Sequence, residues 1–576
     1  MVKKIISFTL CIIILCSGTI YARDVTDIMW PGTNISSDEV KQENEGIFSS
    51  KVDKSVEPST EALKSMVPSA PSYISPSPLE TYRYGLSADA LTGGYGATVN
   101  MERYIAELKF DVKDEELVLL RELGCEIEVY VFNMIQLLIP LDKVEMVRHL
   151  NFIKFLRSPF SDIEEHAKIF KQFASAGEQE FSSLQLNEAH KKGYMGQGVK
   201  VAIVDTAFEP SNPVFRENVY YTLSFRSNDK NIMTGDIDHG NAVTEIVARI
   251  APKTKIILVN FQTDVEYIKA LKELINMTGS KKPDVIVTAV NIILPDDYYD
   301  GSGIRAGLAR LARDKGITIV SSAGNNAQTH YMGNFNDTNG NSLNNFTSRD
   351  DTLEVDLKRG DRIRVVMSWK DNWNNPSADL DLGIFNDSLQ PLAVSTIRQK
   401  GLKAPPYEMV DITASYSGAY HVAVKKIRAG DGIPFMIYIY SMTASNMEYF
   451  NPETSLDPGL PPASDTITVG SVQSTYPCKL EPWSSQGRTT DNRMKPDLVA
   501  LGGIYCHSIH SVFSGTSSSA PQVAGAIALL LSKNHSLSPG KLKEILKKTA
   551  HDLGPPGEDP VFGAGLLNIY KAMLVL

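Results

Sequence analysis

Cationic excess is missing from this chain. Its 57 Lys and Arg face 67 Asp and Glu, and the net charge of -10 gives no electrostatic reason to hold nucleic acid. Cysteine is scarce as well. Of the 5 present, Cys11 and Cys16 lie in the N-terminal apolar run, so Cys125, Cys478 and Cys506 allow one disulfide at most. Past residue 22 no stretch is apolar for long enough to cross a bilayer. A single ordinary core is excluded by the length of 576 residues, and several domains are expected.

What is present begins with an address. Met1-Val2-Lys3-Lys4 is basic, residues 5–16 are apolar, and Ile20-Tyr21-Ala22 ends on a small residue. That pattern predicts a secretory signal over 1–22 and an extracellular or periplasmic protein. A lipoprotein reading through Cys16 ranks second, because Leu15 before it is bulky. Residues 23–97 are rich in Ser, Pro, Glu and Lys, with Pro68-Ser69-Ala70-Pro71-Ser72 and Pro76-Ser77-Pro78, and read as a disordered linker. Residues 98–160 then show a strand, a helical spacing over 114–123, one or two strands over 125–138, a second helix over 141–150 and a last strand over 152–156. This is a β-α-β-β-α-β-like module. Residues 161–184 carry no core pattern and read as an exposed connection.

Strand and helix alternate over 185–329 and again over 461–576, which calls for a parallel sheet with right-handed crossovers. Val199-Lys200-Val201-Ala202-Ile203-Val204-Asp205 is apolar without alternation, as buried parallel strands are. Asp205 falls at its carboxyl end, where α/β enzymes place their chemistry. Asp238-His239-Gly240-Asn241-Ala242-Val243 leads into a helical spacing, and a strand over 317–322 runs into Ala323-Gly324-Asn325-Asn326. Between the two α/β parts, 330–460 loses the helical rhythm and shows six short strands. That predicts an inserted antiparallel β-sandwich that folds independently and gates large substrates. Within it, Asp337, Asn339 and Asn341 set oxygen ligands at alternate positions, as calcium loops do and as ordinary turns also do. Finally Gly515-Thr516-Ser517 meets the apolar helical run 523–531. Free N–H groups and the helix dipole there favour negative charge beside Ser517, although a capped core helix has the same features.

Gly515-Thr516-Ser517-Ser518-Ser519-Ala520-Pro521-Gln522-Val523-Ala524-Gly525 resembles the serine block of the subtilisin-like serine proteases. The Asp205, His239 and Asn325 blocks precede it in that family's order, and Trp483-Ser484-Ser485-Gln486-Gly487 and Gly563-Ala564-Gly565-Leu566-Leu567-Asn568 resemble its flanking segments. Ala207 stands where the family has Gly, Asn241 where it has Thr, and Ala242 where a second His is common. The strand ending at Asn291 departs from the family's substrate-channel segment. Asp379-Leu380-Asp381-Leu382 with Gly418-Ala419-Tyr420-His421-Val422 resembles the bacterial pre-peptidase C-terminal domain, here in an internal position.

The resemblance implies an α/β fold, a subtilisin-like parallel sheet flanked by helices, with an inserted antiparallel β-sandwich and an α+β propeptide-like module. It also implies a secreted endopeptidase made as a zymogen and acting on proteins or peptides, with no cofactor needed for chemistry. In that reading Ser517 is the nucleophile, His239 the base, Asp205 its orienting partner and Asn325 the oxyanion donor. The module over 98–160 is then an intramolecular inhibitor that assists folding. The alternative is a decayed protease scaffold that binds a partner through its sandwich. Export, and loss of Cys125 with the module, further predict a Cys478–Cys506 disulfide.

Overall fold

The computed structural model describes residues 100–159, 181–290, 292–399, 404–441, 447–475 and 477–576. The expected signal sequence, the linker and nearly all of the connection lie outside them, as does Asn291.

Residues 101–157 form a four-stranded antiparallel sheet of order β2-β3-β1-β4, from β1 (Met101–Leu108), β2 (Glu126–Val131), β3 (Met134–Pro140) and β4 (Ile153–Arg157). Helix α1 (Asp114–Glu122) follows the predicted span. The second helix shortens to α2 (Val144–Arg148) behind a 3-10 turn over Leu141–Lys143. One face of this sheet encloses its own core around Leu117, Leu120, Leu137 and Val147, while Ile105, Val131 and Met134 join the core of the next unit.

After α3 (Leu186–Lys191) the chain builds the predicted parallel sheet. It runs through β5 (Lys200–Asp205), β6 (Val219–Ser224), α4 (Ile237–Ile250), β7 (Lys255–Asn260) and α5 (Asp264–Asn276). It continues through β8 (Val285–Thr288), α6 (Ile304–Asp314) and β9 (Thr318–Ser322). With β18 (Thr466–Val472) and β19 (Leu498–Leu501) from the second α/β part, the seven strands lie in the order β19-β18-β9-β8-β5-β7-β6, every neighbouring pair parallel. Alternate residues feed two cores, because a strand's side chains point to opposite faces. Val201 and Ile203 pack on the α4 side, and Ala202 and Val204 on the α5 and α6 side. Helix α5 starts cleanly because Thr263 and Glu266 form a capping box.

Among the described residues the insert holds eight strands where six were expected: β10 (His330–Asn334), β11 (Leu353–Leu357), β12 (Arg362–Trp369), β13 (Asp379–Phe385), β14 (Pro391–Ser395), β15 (Tyr407–Thr413), β16 (Gly418–Arg428) and β17 (Pro434–Ser441). The two extra ones, β10 and β14, are short sheet-edge strands. Two antiparallel sheets, β10-β17-β12-β15 and β11-β16-β13-β14, share one cluster around Trp369, Leu382, Tyr420 and Ile437. The insert keeps a core of its own and is also docked on the α/β part. Val366, Tyr407, Met436, Tyr438 and Tyr440 leave that cluster and join the core on the α5 and α6 side of the parallel sheet. Tyr438 stacks on Tyr299 of the α/β part at 5.1 Å. Strand β17 is apolar on both faces because both are covered.

The second α/β part supplies β18 (Thr466–Val472) and β19 (Leu498–Leu501). It also carries a hairpin of β20 (Gly503–Cys506) and β21 (Ser511–Ser514), then α7 (Thr516–Lys533), α8 (Pro539–Thr549) and α9 (Ile569–Leu574). From Thr516 to Leu531 every residue of α7 is buried, as befits a helix through the middle of a core.

Candidate active site

Three of the four predicted side chains arrive at the carboxyl edge of the parallel sheet by separate routes, and the fourth lies on the helix that packs against it. Asp205 is the last residue of β5 and is fully buried. His239 lies in the first turn of α4, whose N-cap Asp236 accepts the Asp238 N–H at 3.1 Å. The His239 Nδ1–H donates to Asp205 at 2.8 and 2.9 Å to the two carboxylate oxygens. This fixes the tautomer and leaves Nε2 as the basic nitrogen. Burial alone would push the His239 pKa down, but the Asp205 charge and hydrogen bond, with Asp236 behind, outweigh it and leave it above the ordinary histidine value. A Cβ on Gly240 would lie 2.1 Å from the Ala207 carbonyl, so α4 approaches the turn after β5 only because residue 240 has no side chain. Asn241, one of the departures from the family pattern, bolts the same two segments together by accepting the Glu209 N–H at 2.9 Å.

On the other side, Asn325 follows β9 and Ser517 is the second residue of α7. The Asn325 side-chain oxygen accepts from the Thr516 N–H at 3.0 Å and from the Thr516 hydroxyl at 3.1 Å. With its oxygen so engaged, Asn325 has its NH₂ end to offer. Ser517 Oγ donates to the Ala289 carbonyl at 2.9 Å, one residue past the end of β8. Gly515, the helix N-cap, has φ +103, which turns the hairpin strand β21 into α7 at the point where the serine must be presented. Phe513 sets its ring edge-on to His239 at 5.1 Å between centroids. Glu245 on α4 accepts the His507 and Ser508 N–H groups at 2.9 and 2.7 Å, tethering the hairpin tip to the histidine helix.

Ala289, Thr516 and Glu245 were not singled out from the sequence. Thr516 had a signal in its place beside the serine. Ala289 acts through its main chain and has none.

The remaining candidates do not gather here. The oxygens of Asp337 accept from the Gly340 and Ser342 N–H groups at 2.8 and 3.1 Å, and one pairs with Lys426 at 3.2 Å. Asn339 and Asn341 turn their nitrogens to Asp351 at 3.2 and 2.6 Å. With an ammonium and amide nitrogens turned onto its carboxylates, this segment is a turn held by its own side chains. Among the described residues no group of three His, Cys, Asp or Glu is placed to hold a metal. The predicted Cys478–Cys506 disulfide is not formed, and both are free thiols. Cys506 is buried in the core beside α4 with its sulfur toward the Ile504 and Ala242 carbonyls, whereas Cys478 is half-buried in the loop after β18. Among the described residues no helix is long and apolar enough to cross a membrane.

Against known proteins, the model of the subtilase family matches residues 196–353 and 375–565. Subtilisin Savinase of Lederbergia lenta is 32% identical over 123 residues, which cover 19% of this chain and 44% of that protein. The Neisserial autotransporter lipoprotein NalP of Neisseria meningitidis serogroup B is 50% identical over 60 residues, 10% of this chain and 6% of that one. The chain thus spans less than half the length of these relatives. A solved structure, the CspB protease of Clostridium perfringens, aligns with a TM-score of 0.49 at 17% identity, covering 68% of this chain and 97% of that one.

Proposed function

Because the chain belongs to the subtilase family, we propose that it is a secreted serine endopeptidase, made as a zymogen and acting on protein or peptide substrates. The observation that carries this reading is the buried Asp205–His239 pair, with Ser517 and Asn325 on the elements beside it. A serine hydroxyl is a weak nucleophile until a base takes its proton. In the proposed cycle the Ser517 hydroxyl turns from the Ala289 carbonyl to His239 Nε2, loses its proton there and attacks the peptide carbonyl. Asp205 steadies the imidazolium that forms, which then protonates the leaving amine. The Asn325 NH₂ and the Ser517 N–H receive the oxyanion.

The module over 101–157 serves in this reading as the intramolecular inhibitor. Its docking supports that role: Arg157 pairs with Asp264 of α5 at 2.5 Å, and the Thr263 hydroxyl donates to Gln136 at 2.6 Å. The paired antiparallel sheets are read as a β-sandwich like the pre-peptidase domain. Labelling of the purified protein by a fluorophosphonate, with release of peptides from casein, tests the whole proposal. A protein that folds and is exported yet takes no label even after its N-terminal module is removed is a binding scaffold instead.

A further inference from the structure

Where the N-terminal module, the α/β part and the insert meet, they enclose a cavity of about 500 Å³ that no step of the proposed cycle uses. Six carboxyl groups line it against three cationic side chains, and all three cations are already engaged. Arg157 pairs with Asp264 at 2.5 Å and with Glu107 at 2.9 Å. Arg305, in the first turn of α6, is 3% exposed. Its guanidinium donates to the Ile292 and Leu294 carbonyls at 2.6 and 2.5 Å and to Asp296 at 2.9 Å. Lys154 donates to Asn374 of the insert at 2.9 Å.

The other three acids meet only uncharged donors. Asp297 accepts the Tyr299 and Gly303 N–H groups at 2.7 and 2.9 Å, and Asp300 the Ser302 N–H at 2.9 Å. Asp371 accepts the Asn372, Ser377 and Ala378 N–H groups, each at 2.7 Å. These bonds shape loops and leave the charge in place. Burial, with Asp296 alongside, pushes the Asp297 carboxyl up to about 7. In the same wall Tyr298 is 7% exposed, and its hydroxyl is buried without a hydrogen-bond partner among the described residues. Trp373 and Tyr407 add aromatic surface. A concave site of this size, with aromatic walls and a few unspent polar groups, has the make-up of a ligand pocket.

The acids restrict what the ligand can be. Among the described residues no three acidic groups converge closely enough to hold a metal ion. A cation that serves spaced carboxylates must itself be extended, with N–H donors pointing several ways and a flat face for aromatic rings. A guanidinium has these properties, and Arg157 shows the mode in the same cavity, one planar group held between two carboxylates. We propose that this cavity binds a guanidinium ligand, free or carried by a peptide as an arginine side chain, through Asp297, Asp300 and Asp371. It makes no use of His239 or Ser517, so it stands or falls apart from the proteolytic reading.

The test is calorimetric titration, near neutral pH and at low salt, of the full chain carrying Ser517→Ala. Three probes are used: Nα-acetylarginine amide, the citrulline amide that keeps its shape without its charge, and the pentapeptide acetyl-Ala-Ala-Arg-Ala-Ala-amide. The arginine amide should bind at least about tenfold more tightly than the citrulline amide. Asp300→Asn and Asp371→Asn keep an acceptor for their N–H partners, and each should weaken binding about tenfold. Glu217→Gln, at a carboxylate 88% exposed elsewhere on the surface, should change it less than about twofold. A pentapeptide about tenfold tighter than the amide identifies a peptide-borne arginine, and equal affinities identify a free ligand. No binding, equal binding of the arginine and citrulline amides, or affinity unmoved by both cavity variants would overturn the proposal. So would an equal loss in Glu217→Gln, which would mean general attraction to an acidic surface. Melting temperatures are checked first, and if one cavity variant fails to fold the other decides.

Discussion

At His239 two opposed effects meet, and the winner sets the working pH. Burial favours the neutral ring, while Asp205 favours the charged one and prevails, so the pKa lies above the ordinary value. The base must be neutral, so activity falls as pH drops through that raised value. The acid limb of kcat/KM should therefore have its midpoint above about 6.5. Asp205→Asn removes the cause and should move that limb downward while cutting kcat about 10⁴-fold, since the amide also favours the wrong tautomer. A pH–rate profile of both proteins checks each part. Ser517→Ala should leave a folded chain without peptidase activity and with its N-terminal module uncleaved, read by casein hydrolysis and by intact mass. Asn325→Ala should keep the fold and lose about 10²–10³-fold in kcat.

These four residues were legible because each sits where the hydrophobic period breaks: Asp205 and Asn325 as a buried strand ends, His239 and Ser517 as a helix begins. Ala289 and Arg305 were not. The first works through a carbonyl that every residue possesses, and the second through the carbonyls of Ile292 and Leu294, which carry no side-chain signal.

At the scale of elements, the encounter of α4 with the turn after β5 is governed by Gly240. Gly240→Ala would press a methyl onto the Ala207 carbonyl, and the helix must retreat. The expected cost is about 1–3 kcal/mol in stability, with a larger loss in kcat because the Asp205–His239 geometry opens. Thermal melting alongside steady-state kinetics separates the two. Strand β10 carries a second titrating element. His330 is fully buried, donates from Nδ1 to the Asn451 carbonyl at 2.8 Å, and is pushed by burial down to about 4. A depressed histidine stabilises the fold above its unfolded value, near 6.5, and that contribution fades as pH falls toward 4. Between pH 6.5 and 5 the loss should reach about 2 kcal/mol. His330→Asn keeps a donor for Asn451 but does not titrate, so its melting temperature should fall less over that interval than the parent's. Equal falls would refute the assignment.

For the whole molecule, the alternation of helix and strand revealed the parallel sheet, and its interruption revealed the insert. What the interruption concealed was the docking. Phe435-Met436-Ile437-Tyr438-Ile439-Tyr440 is apolar without alternation, which in an antiparallel strand signals cover on both faces. The odd-numbered side chains fill the insert, and Met436, Tyr438 and Tyr440 face the α/β core. Replacing 330–457 by a short Gly/Ser linker should therefore not yield a trimmed enzyme. Stripping cover from Leu460, Ala463 and Tyr299 should instead lower the melting temperature sharply and promote aggregation, measured by calorimetry and light scattering. A stable, active deletion protein would show that the shared core is dispensable.

The burial of α7 through the middle of the molecule has a further consequence, for the order of events as the chain is synthesised. Asp205, His239 and Asn325 all emerge well before the helix that carries Ser517, and the sheet face they border is only partly covered, by α4, until α7 arrives to complete it. Contacts this distant in sequence form late and slowly. A nascent chain therefore holds three parts of the machine and none of its reactivity, while the N-terminal module has already been made when the nucleophile takes its place.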